Sequence, residues 1–566
     1  MSASAVTPTT DPIVTEIIRN AFIAAAEEMN ATLIRSAYTP IIYEMKDCSV
    51  ALMDEHHRVL GQSAGLPIFL GNLEVCTRLI EETHGREAWQ PGDVWVLNDS
   101  YLTGTHLNDM TVCGPIFQAG ELIGFAASRA HWMDVGAKDP GGAMDSTEIY
   151  QEGLRIAPIR VVAGGELRAD VADLITRQSR FAPQAFGDLK AQIAVAQTAE
   201  LRLAAIFERF GAERVRAARD EVFAQAERLD RHAIAAIPDG TYRAEGCLDN
   251  DGIGDEPHWV RVAVTVAGEE MTIDLTDSSS AAEGPVNCGA AQAVSAARVG
   301  FKVLVNPDQP VSGGTFRTLE VRVRPGSLLG AQQPAACQWY FSSLGLLIDL
   351  VVKALAEALP EQAAAATYGD SMVLNMSGVD PRTDGPFLDV NVHVGGWGAW
   401  RGGDGQDALI NNTNGSLKDL PIEVAETRYP YRVHCYRIRT DSGGDGQWRG
   451  GDGIVREFVV EADRAYLNLW FERSKTPPWG IHGGGQGQPP RVTVNPGRPD
   501  EERMLKAAMR PVKRGDVIRC ETGGGGGCGA SAERDPDSVR ADVADGFVSA
   551  EAAAASYGVS IEKGEA

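Results

Sequence analysis

Residues 110–132, MTVCGPIFQAGELIGFAASRAHW, predict a β-hairpin that organises the first part of the chain. Two apolar runs flank a turn at residues 118–120, a pattern typical of two short strands joined by a tight connection. Antiparallel strands joined in this way have their outer ends side by side. The residues that precede the first strand and those that end or follow the second are therefore expected at one edge of a sheet.

The same short motif, H-x-x-D, occurs at both ends of this hairpin. His106 and Asp109 lie at its start, and His131 and Asp134 lie at its end. Imidazole and carboxylate groups suit zinc, manganese or iron, and a site with open positions can activate water. The pattern is compatible with a divalent-metal site built from these four residues, although a spacing of this kind also arises by chance. The alternative is that the two histidines simply cap strand ends and bond backbone carbonyls.

Three further residues nearby are candidates for chemistry. Asp99 ends the strand before the hairpin, so it is either a further ligand or catalytic group, or a turn-forming residue. Glu148 and Arg155, in STEIYQEGLRI, are candidates for a base and a substrate clamp. Helical spacing would instead place Glu148, Glu152 and Arg155 on one face of a helix, where Arg155 would form a surface ion pair with a glutamate.

Other motifs have plainer explanations that we keep beside the functional ones. Arg428 could clamp a substrate carboxylate or phosphate, or it belongs to a solvated strand of alternating charge. His56 and His57 are expected at a solvated turn between two strands. The glycine-rich segments 441–453 and 474–487 predict tight turns, with a binding loop as the alternative.

Composition limits the classes of partner. The 566-residue chain has 44% hydrophobic and 23% charged residues and a net charge of −25, which predicts a globular protein that binds neither nucleic acid nor anionic lipid. No apolar run approaches the ~20 residues of a membrane span, and the N-terminus lacks a secretory signal. The nine cysteines form no C-x-x-C pair, so we expect a reduced, cytoplasmic protein without a thiolate zinc site.

The predicted fold class is α+β, with several domains, mixed and antiparallel sheets and packed helices. Helical periodicity marks residues 11–38 and 181–236, and a β-rich, glycine-containing part follows about residue 395. We place the domains at 1–236, 237–394, 395–530 and 531–566. The glycine run at 523–527 is low-complexity sequence; it lacks the Lys-Ser/Thr of a P-loop, and no dinucleotide-binding fingerprint occurs elsewhere.

A set of ordered motifs between residues 11 and 558 resembles the hydantoinase B/oxoprolinase family. The motifs are LNDSYLTGTHLNDMTVCGPIF, SRAHWMDVGA, EGPVNCGAAQAVSAARVGFKVLVNPDQPVSGGTFRTLEV, LPIEVAETRYPYRV, DSGGDGQWRGGDGIVREF, SKTPPWGIHGGGQG and ETGGGGGCG. This chain departs from the family at Gly65, Phe69 and Trp132, where members often have histidine, and at Asn108, where they have proline.

The resemblance implies a subunit of an ATP-dependent enzyme that opens cyclic amides such as hydantoins, 5-oxoproline and lactams. An A-type partner subunit would carry ATP and Mg²⁺, making a hetero-oligomer. The family's metal ligands map onto His106, Asp109, His131 and Asp134. We hypothesise that the partner phosphorylates the ring amide and that water activated in this chain attacks it. The alternatives are a subunit of an ATP-dependent ketone carboxylase and a non-catalytic scaffold.

Overall fold

The computed structural model describes residues 11–561, in which helices pack against four sheets. The helices are α1 (Pro12–Ser36), α2 (Pro40–Tyr43), α3 (Pro67–Leu70), α4 (Leu73–His84), α5 (Ser100–Thr103), α6 (Ala169–Thr176), α7 (Ala182–Phe210), α8 (Ala212–Ala235), α9 (Ala290–Leu304), α10 (Tyr340–Leu355), α11 (Ile422–Arg428), α12 (Pro536–Ala544) and α13 (Ala550–Tyr557). Within this part of the chain, no helix is both long and apolar enough to cross a membrane.

The first sheet has seven antiparallel strands and contains the predicted hairpin. Its strands are β1 (Cys48–Asp54), β2 (Val59–Gln62), β3 (Val94–Leu97), β4 (Asp109–Gln118), β5 (Glu121–His131), β6 (Ile159–Ala163) and β7 (Glu166–Leu167). Their order is β2-β1-β5-β4-β3-β6-β7, which places the β4–β5 hairpin at the centre of the sheet.

Helices cover both faces of this sheet, because alternate residues of a strand point to opposite sides. Ala126 and Ala130 of β5 belong to the cluster that includes α1 and α7. Phe125 and Ala127 pack instead with apolar residues of α4. The hairpin is therefore fixed between two apolar layers.

The first helix follows its sequence signals closely. The Asp11 carboxylate accepts a hydrogen bond of 2.9 Å from the Ile13 amide, and proline occupies the first turn, both of which favour helix initiation. The helix ends at Ser36, before Thr39 and Pro40, as predicted.

A second, four-stranded sheet brings α9 and α10 next to the first. Its strands are β8 (Gly240–Leu248), β9 (His258–Ala267), β10 (Glu270–Asp274) and β11 (Leu319–Arg322). The β10–β11 pair is parallel and the other pairs are antiparallel, so this sheet is mixed. α10 packs against β8, β9 and α9, and all its residues except Lys353 are buried.

Two more antiparallel sheets form the C-terminal part. Their strands are β12 (Val373–Asp380), β13 (Gly385–Asn391), β14 (Tyr431–Ile438), β15 (Ile454–Val460), β16 (Ala465–Trp470), β17 (Arg491–Val494), β18 (Glu502–Arg503), β19 (Lys506–Val512) and β20 (Val517–Glu521). The orders are β13-β12-β16-β19 and β14-β15-β20-β17-β18. The predicted α+β class with mixed and antiparallel sheets is confirmed. The fourfold division of the chain stays a prediction; the largest buried apolar cluster includes residues of its first three parts.

The glycine run at 523–527 is a packing element. The Gly525 amide donates to the Gly451 carbonyl at 2.8 Å, and the Gly525 carbonyl accepts from the Gly444 amide at 2.8 Å. A Cβ added at Gly525 would overlap the Trp397 carbonyl. Glycine is therefore required here because four backbone segments approach one another more closely than any side chain allows.

Candidate metal centre

The hairpin has the geometry that the sequence predicts. Asp109, the first residue of β4, pairs directly with His131, the last residue of β5. The turn at the other end contains Ala119 and Gly120, both with positive φ, as two-residue hairpin turns require. His106 lies three residues before β4, so both histidines reach the same edge of the sheet.

Three of the four predicted ligands converge at this edge. His106 Nε2 lies 2.9 Å from Asp109 Oδ1 and 3.1 Å from His131 Nδ1, and His131 Nδ1 lies 3.3 Å from Asp109 Oδ1. The three side chains are buried, with exposed fractions of 4%, 0% and 8%. Two imidazole nitrogens and a carboxylate oxygen therefore share one small volume, the donor set that zinc, manganese and iron accept.

Residues from the start of α10 hold these side chains in place. His106 Nδ1 lies 3.0 Å from the Gln338 carbonyl, and a proton on Nδ1 would donate to that carbonyl and leave the Nε2 lone pair directed at Asp109. In that tautomer two acceptors face each other at 2.9 Å, an arrangement that a cation between them stabilises. The Tyr340 hydroxyl donates to Asp109 Oδ2 at 2.8 Å. Burial raises the pKa of this tyrosine well above its ordinary value, so it remains a donor.

Three buried polar atoms at or beside the cluster have no hydrogen-bond partner within the described chain: His131 Nε2, Asp47 Oδ1 and Gln338 Oε1. A buried polar atom left without a partner costs about 1–3 kcal/mol, so each is an unusual feature that calls for an explanation. Burial raises the pKa of Asp47 to about 7, with His131 acting in the opposite direction. The imidazole nitrogens and the Asp109 carboxylate are suitable ligand atoms for a cation, and Asp47 offers a further carboxylate oxygen.

Asp47 was missed in the sequence, although a signal exists there. It immediately precedes β1, and its carbonyl accepts the His131 amide at 3.1 Å because β1 is the neighbour of β5. The position of Asp47 directly before a predicted strand is visible in the sequence. The pairing of that strand with β5, which brings Asp47 to His131, was not predicted.

A small cavity of about 50 Å³ opens onto the cluster. Besides His106, Asp109, His131 and Asp47, it is lined largely by apolar side chains, among them Ile41, Leu66, Ile68, Phe69, Phe341 and Val392. A cavity of this size holds a few water molecules but falls well short of the roughly 300 Å³ of a typical small-molecule site. A molecule of that size would fit only if the walls moved.

Asp134 does not join the three converging residues. Its Oδ1 accepts from the Arg180 guanidinium at 2.7 Å, and its Oδ2 accepts from the Arg180 amide at 2.6 Å. Both oxygens are thus engaged by one residue. This ion pair, between a buried carboxylate and an arginine that is 37% exposed, fixes the chain where it enters α7.

The three candidate catalytic residues, Asp99, Glu148 and Arg155, are not part of the converging group and do not line its cavity. Asp99 caps α5, accepting from the Tyr101 amide at 3.0 Å, and its other oxygen lies 3.5 Å from Arg155 Nε. Glu148 is exposed. The expected helix through Glu148 and Arg155 is wrong: only a single 3₁₀ turn, Ile149–Gln151, forms there. Catalytic roles for these residues stay predictions.

Glu152 is fully buried, so its assignment to a surface ion pair is wrong. Its carboxylate accepts from the Ser146 hydroxyl at 2.7 Å and from the Cys337 and Gln338 amides at 2.9 Å. Burial raises its pKa to about 7, and these hydrogen bonds act in the opposite direction. Glu152 therefore fixes the backbone of Gln338, whose carbonyl contacts His106.

The twin histidines divide between solvent and core. His56 is solvated at the predicted turn, whereas His57 is buried, with Nδ1 3.1 Å from the Thr77 hydroxyl and its ring stacked on Phe125. The solvated-turn prediction holds for the first and is wrong for the second. A positive φ at His57 turns its side chain inward.

Similarity to known proteins agrees with this architecture. The family model described as hydantoinase B/oxoprolinase matches residues 11–531. A protein of Pseudomonas sp. (strain NS671), described as one subunit of a putative D-/L-hydantoinase, is 31% identical, over 98% of this chain and 96% of its own.

Two solved structures share the fold. The ATP-dependent caprolactamase from Pseudomonas jessenii has a TM-score of 0.90 and 29% identity, covering 98% of this chain and 97% of that one. Nucleotide-free acetone carboxylase has a TM-score of 0.88 and 20% identity, covering 98% and 80%, a likeness of fold alone. Because the family model matches most of this chain, the chain is a member of the hydantoinase B/oxoprolinase family.

Proposed function

We propose that this chain is the metal-binding subunit of an ATP-dependent enzyme that opens cyclic amides. The observation that carries the proposal is the convergence of His106, Asp109 and His131 on one buried point, with unpartnered polar atoms beside it. Relatives named as a hydantoinase subunit and an ATP-dependent caprolactamase support amide-ring substrates.

His106, Asp109 and His131 would hold the cation, and Asp47 would supply a further oxygen. When bound, a divalent cation supplies Lewis-acid chemistry that polarises oxygen and makes water more acidic. Gln338 and Tyr340 keep the first two ligands oriented through the hydrogen bonds of 3.0 and 2.8 Å. The apolar walls of the cavity keep bulk water away, which strengthens every charge interaction inside.

An A-type partner subunit would supply the ATP-dependent step. The sequence has no P-loop or dinucleotide fingerprint, and the Pseudomonas relative is named as one subunit of a larger enzyme, which supports a companion chain. Phosphorylation of the ring amide oxygen converts a resonance-stabilised amide into a better electrophile.

Metal content tests the site. The purified chain, incubated with Zn²⁺, Mn²⁺ or Fe²⁺ and desalted, should retain about one ion per chain. His131→Ala should lose it, whereas His434→Ala, which removes an exposed imidazole on β14, should retain it. Retention of the ion by the His131 variant would refute the assignment of these residues.

Turnover tests the reaction. The chain, co-purified with an A-type subunit, is assayed for ATP consumption and ring-opened acid with hydantoin, 5-oxoproline and caprolactam. Fixation of labelled bicarbonate into a ketone, without ring opening, would replace this function by carboxylation. A complex that binds no metal and turns over none of these compounds would support the scaffold alternative.

A further inference from the structure

A second concave site lies across α3 from the metal cavity. Residues 58–78 and 298–317 line a groove with two connected lobes of about 200 and 280 Å³, which share Gln62, Leu70 and Phe316. Together the lobes are large enough for a small organic molecule. None of the residues proposed above for catalysis lines this groove.

The first lobe is strongly cationic. Among the residues of the described chain that line this lobe, one is acidic, Glu74, and four are basic: Arg58, Arg78, Arg298 and Arg317; a fifth basic residue, Lys302, lines the other lobe. The whole chain has a net charge of −25, so this concentration of positive charge runs against the overall composition. A cleft lined by one sign of charge attracts small ions of the other sign.

Carboxylates neutralise part of this charge: Asp54, outside the groove lining, pairs with Arg58 at 2.7 Å. Glu74 lies 3.1 Å from Arg298 but 4.0 Å from Arg78, beyond hydrogen-bonding distance. Arg317 is bound through NH1 to Glu227, which is outside the groove lining. Arg78 and Arg317 therefore have guanidinium hydrogens available for a ligand, and a planar carboxylate is the partner that a guanidinium suits best.

The second lobe is apolar. Its wall is formed by Leu70, Val299, Val303, Val311 and Phe316. Val303 is 44% exposed, although it belongs to a helix that is otherwise well packed. An exposed apolar surface next to cations matches a ligand that has an anionic head and an apolar body.

We propose that this groove binds a small organic carboxylate whose aliphatic or aromatic body occupies the apolar lobe. The carboxylate would lie at Arg78 and Arg317, with the body against Val303 and Phe316. The short helix α3 separates it from the metal cavity: Pro67 and Leu70 face the groove, and the intervening Ile68 and Phe69 face the cavity. The ligand would therefore lie on the opposite side of α3 from the metal cavity, without entering that cavity.

Isothermal titration calorimetry on the full chain at low ionic strength tests the proposal, with hexanoate as the probe. Hexanamide and inorganic phosphate test the head and the body separately, and both should bind at least about tenfold more weakly. The double variant Arg78→Gln/Arg317→Gln should weaken hexanoate binding at least tenfold, and Val303→Asn should weaken it severalfold. Arg228→Gln, which removes an exposed arginine outside the groove, should bind hexanoate like the parent chain.

Three outcomes would overturn the proposal. The first is hexanoate binding that the double variant leaves unchanged, or no saturable binding by the parent chain. The second is phosphate binding as tight as that of hexanoate, which would assign the arginines to a phosphate ligand. The third is a change in oligomeric mass by light scattering in the double variant, which would make the groove an interface between protein chains.

Discussion

Replacing Tyr340 by phenylalanine tests whether Asp109 is held ready for a metal ion. The substitution removes one oxygen atom and with it the 2.8 Å hydrogen bond to Asp109 Oδ2, while the ring stays packed in its buried position. The Asp109 carboxylate keeps its contacts with the two histidines through Oδ1. The change therefore tests orientation separately from the loss of a ligand.

The magnitude follows from the kind of bond removed. A hydrogen bond to a charged group contributes about 1.5–3 kcal/mol, and residues that orient metal ligands affect metal affinity by about 10–100-fold. Because the Asp109 side chain is fully buried, no water replaces the lost donor without rearrangement. We expect the Tyr340→Phe chain to bind the cation at least ~10-fold more weakly, which corresponds to ~1.4 kcal/mol.

Competition between the protein and a chromogenic chelator measures this affinity. Tyr436→Phe is the matched control, since the Tyr436 hydroxyl donates to Asp419 Oδ2 at 2.7 Å outside the metal cavity. The control should keep the parent metal affinity. If Tyr340→Phe loses unfolding free energy but binds metal as tightly as the control, Asp109 is not oriented through Tyr340 and the argument fails.

Three further predictions concern the supports of the site and the fold. Asp134→Asn should keep metal affinity within about twofold and lower the unfolding free energy by about 1–3 kcal/mol, because its partner is Arg180; a tenfold loss of affinity in the chelator assay would contradict this. The raised pKa of Glu152 means that the folded state binds more protons than the unfolded state between pH 4.5 and about 7. Unfolding free energy from urea titrations should therefore fall as pH rises through that window, by on the order of 3 kcal/mol relative to Glu152→Gln; parallel pH profiles would refute it. Gly525→Ala should lower the unfolding free energy by at least ~2 kcal/mol, since the new methyl group meets the Trp397 carbonyl. A change within ~0.5 kcal/mol would show that the backbone adapts.

The sequence was most informative where local patterning alone determines structure. The apolar runs around Ala119 and Gly120 predict the hairpin, and the hairpin predicts that Asp109 and His131 meet. A hairpin is a local structure, and its register follows from its turn. Three of the four predicted ligands converge for that reason.

Long-range contacts were beyond the same reasoning. Asp134 follows β5 as closely as His106 precedes β4, but Arg180 engages it from a distant segment. Glu152 has the spacing of a surface helix, yet it serves as an acceptor for the Cys337 and Gln338 amides. The sequence contains no local signal for either pairing, since each depends on how separate segments pack.

The metal cavity requires both the N-terminal hairpin and the segment that leads into α10, which begins at Tyr340. His106 and Asp109 come from the hairpin, while Gln338 and Tyr340, which hold them, come from a segment more than 200 residues later. Glu152 ties that segment back to the N-terminal region through two backbone amides. The ligands are therefore oriented only when the two regions are packed together. Under the proposed function, a ring does not fit the cavity of about 50 Å³, so its apolar wall, which includes residues of α3, would have to move during turnover while the hydrogen bonds to His106 and Asp109 persist.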